Sequence, residues 1–119
     1  MYAIRGATTI DANNSQDIKK ASIELMENII SSNNLNTTDI ISMVFSCTQD
    51  ITKDYPGKFV REHFNLKNTA IMHFNEMYVE NSLNLCIRVM LYVNGDNQNV
   101  KYVYLKNAKS LRKDLLNNQ

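Results

Sequence analysis

The residues of this chain that could do chemistry are mostly cations on or beside strand-like runs: Arg5, Lys58, Arg61, Arg88 and Arg112. Near them stand one carboxylate at a strand end, Glu76, and a tyrosine, Tyr104. A converging set of this kind suits a small dianion, because arginine grips carboxylates through paired N–H bonds and keeps its charge when desolvated. It includes no obvious nucleophile or metal ligand, so its chemistry would be electrostatics and positioning. Arg88 is the most informative member. Every other residue of 85–93 is apolar or aromatic, and alternation puts Ile87, Val89, Leu91 and Val93 on one face of a strand, with Cys86, Arg88, Met90 and Tyr92 on the other. A guanidinium on such a face is too costly to bury alone. It must meet a protein carboxylate, reach solvent, or face a cavity where an anionic ligand supplies the partner, and the last is the expectation here. For the other cations taken singly, a solvated or salt-bridged surface charge is the simpler reading.

Other chemistries find little support. The only histidines are His63 and His73, and no Cys-x-x-Cys or His-Glu-x-x-His spacing is present. The run from Asp11 lacks the glycine and closing glutamate of a calcium loop. No glycine-rich phosphate loop or dinucleotide fingerprint occurs. Cys47 and Cys86 lie in apolar runs, away from the turns and helix N-termini that activate thiolates, and read as reduced, buried thiols. No cofactor and no metal are expected.

The 119 residues suit a single domain, 1–119, with 44% hydrophobic and 21% charged residues, ordinary for a soluble protein. A net charge of +1 argues against general nucleic-acid binding. No run approaches the roughly 18–20 apolar residues of a membrane span, and residues 1–5 carry no signal-peptide core. A cytoplasmic protein without nucleic-acid or membrane partners is expected.

Positioning falls to a small set of elements. Residues 2–9 read as a strand. Asn14 or Ser15 would cap a helix with Asp17 in its first turn, and Ile18, Ala21, Ser22, Leu25, Met26 and Ile29 form its buried stripe. Strands follow at 41–47 and 69–74, with a short helical turn over 58–64 that sets Lys58 and Arg61 on one face. After the central strand, Asn94-Gly95-Asp96 signals a hairpin, so 100–105 is expected to return antiparallel to 85–93. Residues 106–119 are polar and read as a partly mobile tail. The fold class is α/β (α+β): a five-stranded mixed sheet covered on one face by one long helix. One helix cannot cover both faces, so other copies of the chain are expected on the second.

The residues also carry a family likeness. Arg5-Gly6-Ala7-Thr8-Thr9, Ser46-Cys47-Thr48-Gln49-Asp50, the run from Tyr55-Pro56-Gly57-Lys58 to Arg61-Glu62, Asn75-Glu76-Met77, Cys86-Ile87-Arg88-Val89-Met90, Tyr104-Leu105 and Leu111-Arg112 occur in order over nearly the whole chain. Together they resemble the small monofunctional chorismate mutases of the Bacillus type. The resemblance implies a homotrimeric pseudo-α/β-barrel with active sites at subunit interfaces, and a cofactor-free Claisen rearrangement of chorismate to prephenate. It implies that Arg88 donates to the breaking ether oxygen, that Arg5 and Tyr104 hold a carboxylate, and that Glu76 accepts from the ring hydroxyl. Lys58, Arg61 and Arg112 would draw in the dianion while Tyr55 and Leu111 pack against it.

The sequence departs from that pattern at Met72 and His73, where smaller residues are common, and at Lys113, where proline is common. His73 is expected among the pocket residues, reshaping the ring-hydroxyl end or pairing with Glu76. Two rival readings are a Rid-type trimeric imine deaminase and a non-catalytic trimer that binds a carboxylate metabolite; the N-terminal arginine and Glu76 favour the mutase.

Overall fold

A computed structural model of the chain describes residues 1–112. Its strands are β1 (Tyr2–Thr9), β2 (Ile40–Cys47), β3 (Ala70–Asn75), β4 (Cys86–Val93) and β5 (Val103–Tyr104), and its helices α1 (Ser15–Ser32) and α2 (Pro56–Phe64). The strands form one mixed sheet in the order β3-β2-β4-β1-β5. β4 runs antiparallel to both neighbours, while β3 and β5 lie parallel to β2 and β1.

α1 forms where its stripe predicts. The Asn14 side chain accepts the Asp17 amide at 2.8 Å and satisfies one of the donors that a helix start leaves free. Ile18, Leu25, Met26 and Ile29 are fully buried against Ile4, Ile87, Leu91 and Val93 from the sheet. Burial of each such side chain is worth about 1.5–3 kcal/mol. Gly6 lets the layers approach: a Cβ there would sit 2.8 Å from Ile29 Cδ1 and 3.0 Å from the Val103 carbonyl.

Two expectations are corrected. The expected helical turn is a second helix, α2, opened by Pro56 and closed by Asn65 in the left-handed conformation (φ 53°). Its Phe59 and Val60 join the same core as α1, so the cover still lies on one face, but it consists of two helices. The expected hairpin does not form either: β5 is two residues long and pairs with β1. Both edges of β4 are already taken by β1 and β2. Asn33, at the end of α1, accepts the Lys101 amide at 2.8 Å and donates to the Lys101 carbonyl at 2.9 Å. These bonds draw the returning chain across the helix end to the free edge of β1.

Residues expected to begin the tail form a 3-10 helix, Lys106–Arg112, whose Ala108 is fully buried. The rest of that tail, including Lys113, lies outside the described residues. The sheet face away from the helices carries Ile41, Met72 and Phe74 exposed, alongside half-buried Val44, Met90 and Tyr92. Among the described residues, no helix is long and apolar enough to cross a membrane.

Candidate active site

Arg88 sits in the middle of β4 on the open face, as its alternation predicts. Ala7 of β1 lies opposite it on one side and Ser46 of β2 on the other. Both neighbours are small, which leaves room beside the guanidinium. The row continues outward to Phe74 of β3 and to Tyr104 of β5. Arg5 is exposed on the same face, two residues along β1 from Ala7 and opposite Met90.

The anion nearest Arg88 belongs to the same chain. Glu76, just past the end of β3, places Oε1 3.1 Å from Arg88 Nε, while Oε2 accepts a hydrogen bond of 2.6 Å from Ser46 Oγ. Of the three partners open to the guanidinium, a protein carboxylate is therefore present. The Nε contact is Coulombic: despite its length the N–H is not aligned on the oxygen, and Nε remains buried without a hydrogen bond. Tyr104 is in the same condition, since its hydroxyl is buried and unpartnered. Buried polar atoms normally find partners, so two orphans on one face mark where a polar ligand would be accepted.

Flanking this cluster, Leu111 packs against Ala7, Cys86 and Tyr104, and the Arg112 guanidinium lies 6.0 Å from the centroid of Tyr102. Cys86 is no nucleophile. Burial pushes its thiol up, against the pull of Arg88. Burial pushes Cys47 further, to about 12, with nearby Cys86 and Glu76 adding to it.

Tyr55, Lys58, Arg61 and His73 form a second cluster around α2, on the helix side of edge strand β3. Lys58 pairs with Asp54 at 3.2 Å. The Tyr55 amide above all, and Lys58 with it, hold the half-buried Asp54 carboxyl below its ordinary value. A cleft of about 380 Å³ is lined here by Cys47, Tyr55, Pro56, His73, Phe74 and Asn75. A wider depression of about 540 Å³ runs along the outer side of α1, but Lys19, Lys20, Glu24 and Glu27 line it without converging on any point. The expected pairing of His73 with Glu76 is not formed. The parity of β3 turns His73 to the helix side, where Nε2 accepts the Gly57 amide at 2.9 Å. Met72 does face the open side. The sheet thus stands between the Arg5–Glu76–Arg88–Tyr104 cluster and the Tyr55–Lys58–Arg61–His73 cluster, and one chain does not bring them together.

Sequence reasoning missed two supporting residues. The Asp54–Lys58 pair was legible, since an acid four residues before a lysine is a recognisable spacing. The role of Ser46 was not, because it depends on strand register.

A one-sided α+β domain sets two arginines, a glutamate and a tyrosine on an open sheet face, a set whose chemistry suits a small carboxylate. Comparison with known proteins narrows this class. Residues 1–115 match the family model "Chorismate mutase type I". The chain is 35% identical over 114 residues to chorismate mutase AroH of Bacillus subtilis (strain 168), covering 94% of this chain and 90% of that one. It is 30% identical over 115 residues to chorismate mutase AroH of Thermus thermophilus, with 94% and 93% covered. A solved structure, chorismate mutase from Clostridium thermocellum, superposes with a TM-score of 0.88 at 38% identity, covering 92% of this chain and 99% of that one. The chain belongs to the type I chorismate mutases.

Proposed function

We propose that the protein converts chorismate to prephenate, with the Arg88 cluster as the catalytic half of its site. It is an isomerase of aromatic amino acid biosynthesis. The reaction breaks one C–O bond and forms one C–C bond within a single molecule, so it needs no external acid, base or cofactor. What the chain can contribute is charge and shape. Arg88 faces the ether oxygen as that oxygen gathers negative charge, and a preorganised donor of this kind acts selectively on the transition state. Arg5 and the Tyr104 hydroxyl take the enolpyruvyl carboxylate, and Glu76 accepts from the ring hydroxyl. Together they hold the compact, chair-like conformer, which supplies the orientational part of the rate enhancement.

The observation that carries this reading is the buried Arg88 Nε, held beside Glu76 without an aligned hydrogen bond, on the same face as the unpartnered Tyr104 hydroxyl. Further groups come from a neighbouring copy in a homotrimer with three interfacial sites. There the neighbour's Tyr55 packs on the ligand and its Lys58 and Arg61 attract the dianion, while Leu111 and Arg112, which flank the Arg88 cluster in the same chain, close the solvent side. Support for this assembly is the uncovered apolar face, with Met72 and Phe74 more than half exposed, and the separation of the two clusters by the sheet. The two free, buried cysteines suit a cytoplasmic setting. Imine hydrolysis and simple metabolite binding are not favoured, because the family match spans residues 1–115.

The test is loss of chorismate absorbance on adding purified protein, with prephenate identified as product. An unchanged rate relative to buffer overturns the reading.

A further inference from the structure

His73 and Gly57 form a contact that the catalytic assignment leaves unexplained. A helix start leaves its first amides without intrahelical acceptors. In α2 the residue at the cap, Tyr55, supplies no side-chain bond, and Pro56 has no amide to satisfy. The Gly57 amide instead donates to His73 Nε2 at 2.9 Å, so the cap comes from a different element, strand β3. The imidazole stacks on Phe45 of β2, with ring centroids 5.4 Å apart, and Tyr55 meets it edge-on at 5.1 Å. Glycine is needed for the approach: a Cβ at position 57 would lie 2.8 Å from His73 Nε2 and 2.6 Å from Ile71 Cγ2.

This geometry admits only one protonation state. With Nε2 accepting, the ring proton sits on Nδ1. A second proton would set Nε2–H against the Gly57 N–H, at the positive end of a helix, where a cation is disfavoured. Among the described residues, α2 presents Arg61 to the imidazole, Tyr55 faces it at the cap, Phe45 and Cys47 of β2 lie beside it, and Lys53 and Asp54 of the loop before α2 line the same cleft. Asp54, the one carboxylate among them, is engaged by Lys58 and by the Tyr55 amide. Burial first, and Arg61 second, hold His73 below its ordinary value of 6.5.

We propose that His73 is a positioning residue that pins the first turn of α2, and with it Tyr55 and Lys58, to β3 by accepting the Gly57 amide, and that it releases this turn when protonated. The kinetic consequence rests on the chorismate mutase reading, in which Tyr55 and Lys58 contact the substrate. The release itself does not. As pH falls below 6.5 the bond is progressively lost, and with it the preorganisation of that half of the site. KM for chorismate rises and kcat changes little, because the turn contributes binding shared by substrate and transition state. Loss of one hydrogen bond corresponds to about a three- to tenfold rise.

Two measurements test this independently. The chain has a single proline, Pro56, directly before Gly57. Labelling with carbonyl-¹³C proline and ¹⁵N glycine therefore isolates the Gly57 amide as one NMR signal. In the unsubstituted protein that signal is expected to titrate together with the His73 ring. In His73→Gln, whose amide oxygen accepts but does not titrate, this transition is expected to vanish. A Gly57 signal that stays still while His73 titrates, or that titrates identically in His73→Gln, overturns the proposal. In the kinetic arm, KM is followed from pH 7.5 to 5. The unsubstituted enzyme is expected to show the stated rise, and His73→Gln less than a twofold change, whatever its KM at pH 7.5. Parallel profiles for the two proteins overturn the substrate-side role. Complete absence of mutase activity would count against the proposed function, while the NMR arm would still decide whether His73 holds the turn.

Discussion

Glu76 Oε1 stands 3.1 Å from Arg88 Nε without sharing an aligned hydrogen bond with it. The carboxylate is fixed from the other side, through the 2.6 Å bond from Ser46 Oγ to its second oxygen. Charge attraction therefore holds the guanidinium in place while leaving the Nε donor unused. An arginine fully engaged by a bidentate carboxylate would have little left for a substrate. One oriented by a neighbour anchored elsewhere keeps its donor available.

Arg88→Lys tests that arrangement. Lysine preserves the positive charge but not the planar fork, so binding of the dianion should suffer less than turnover. Loss of one preorganised donor to a developing oxyanion costs on the order of 3 kcal/mol, and kcat is expected to fall about 10²-fold or more. Steady-state kinetics with an unchanged far-UV dichroism spectrum would establish it, whereas near-normal turnover would remove Arg88 from the mechanism.

Tyr104→Phe separates function from stability. A buried hydroxyl without a partner carries a desolvation penalty of about 1–3 kcal/mol. Deleting it relieves that penalty while keeping the ring packed against Ala7 and Cys86. The thermal midpoint is expected to stay level or rise, and KM for chorismate to increase several-fold. A lower midpoint with KM unchanged would make the hydroxyl a structural group.

The face of Arg88 was legible in the sequence because alternation along 85–93 is local. So was α1, whose stripe and Asn14 cap lie within a few residues of one another. The partnership of Arg88 with Glu76 was not legible. It depends on β2 lying between β3 and β4 and on the path of residues 76–85, where Leu85 takes a positive φ of 48° just before β4 begins. The hairpin failed as an expectation for a related reason: Asn94-Gly95 is a genuine local turn signal, but Asn33, far away in sequence, captures Lys101 and redirects the strand. His73 shows the same limit at the site itself. Period two sets it opposite Met72 and Phe74, yet which face receives it depends on where α2 packs.

Phe74→Asp probes the open face. Phe74 is 52% exposed there, opposite Ser46 in the Arg88 row. If copies of the chain cover this face, a carboxylate at its edge strand loses buried apolar area and adds an unpaired charge to the contact. Light scattering is expected to give three times the 13.7 kDa chain mass for the unsubstituted protein and a shift toward one for Phe74→Asp, with at least a tenfold loss of activity at low protein concentration. A monomeric, fully active unsubstituted enzyme would refute the interfacial site.

Cys47 links the core to alkaline stability. Its thiol is pushed from 9.0 to about 12, chiefly by burial, so the folded chain keeps this proton where the unfolded chain gives it up. Below pH 9 both states are protonated and the contribution is present in full. As pH rises from 9 toward 12 the unfolded state ionises first and gains stability, so the folded state loses ground. Urea midpoints measured from pH 8 to 10.5 are expected to fall, and to fall less steeply in Cys47→Ala, whatever that variant's starting stability. Equal slopes would mean that other groups set the alkaline limit. The same proton bears on reactivity, because the thiolate is the nucleophilic form. Alkylating reagents at pH 8 should therefore leave Cys47 unmodified in the native protein and modify it once the chain is unfolded.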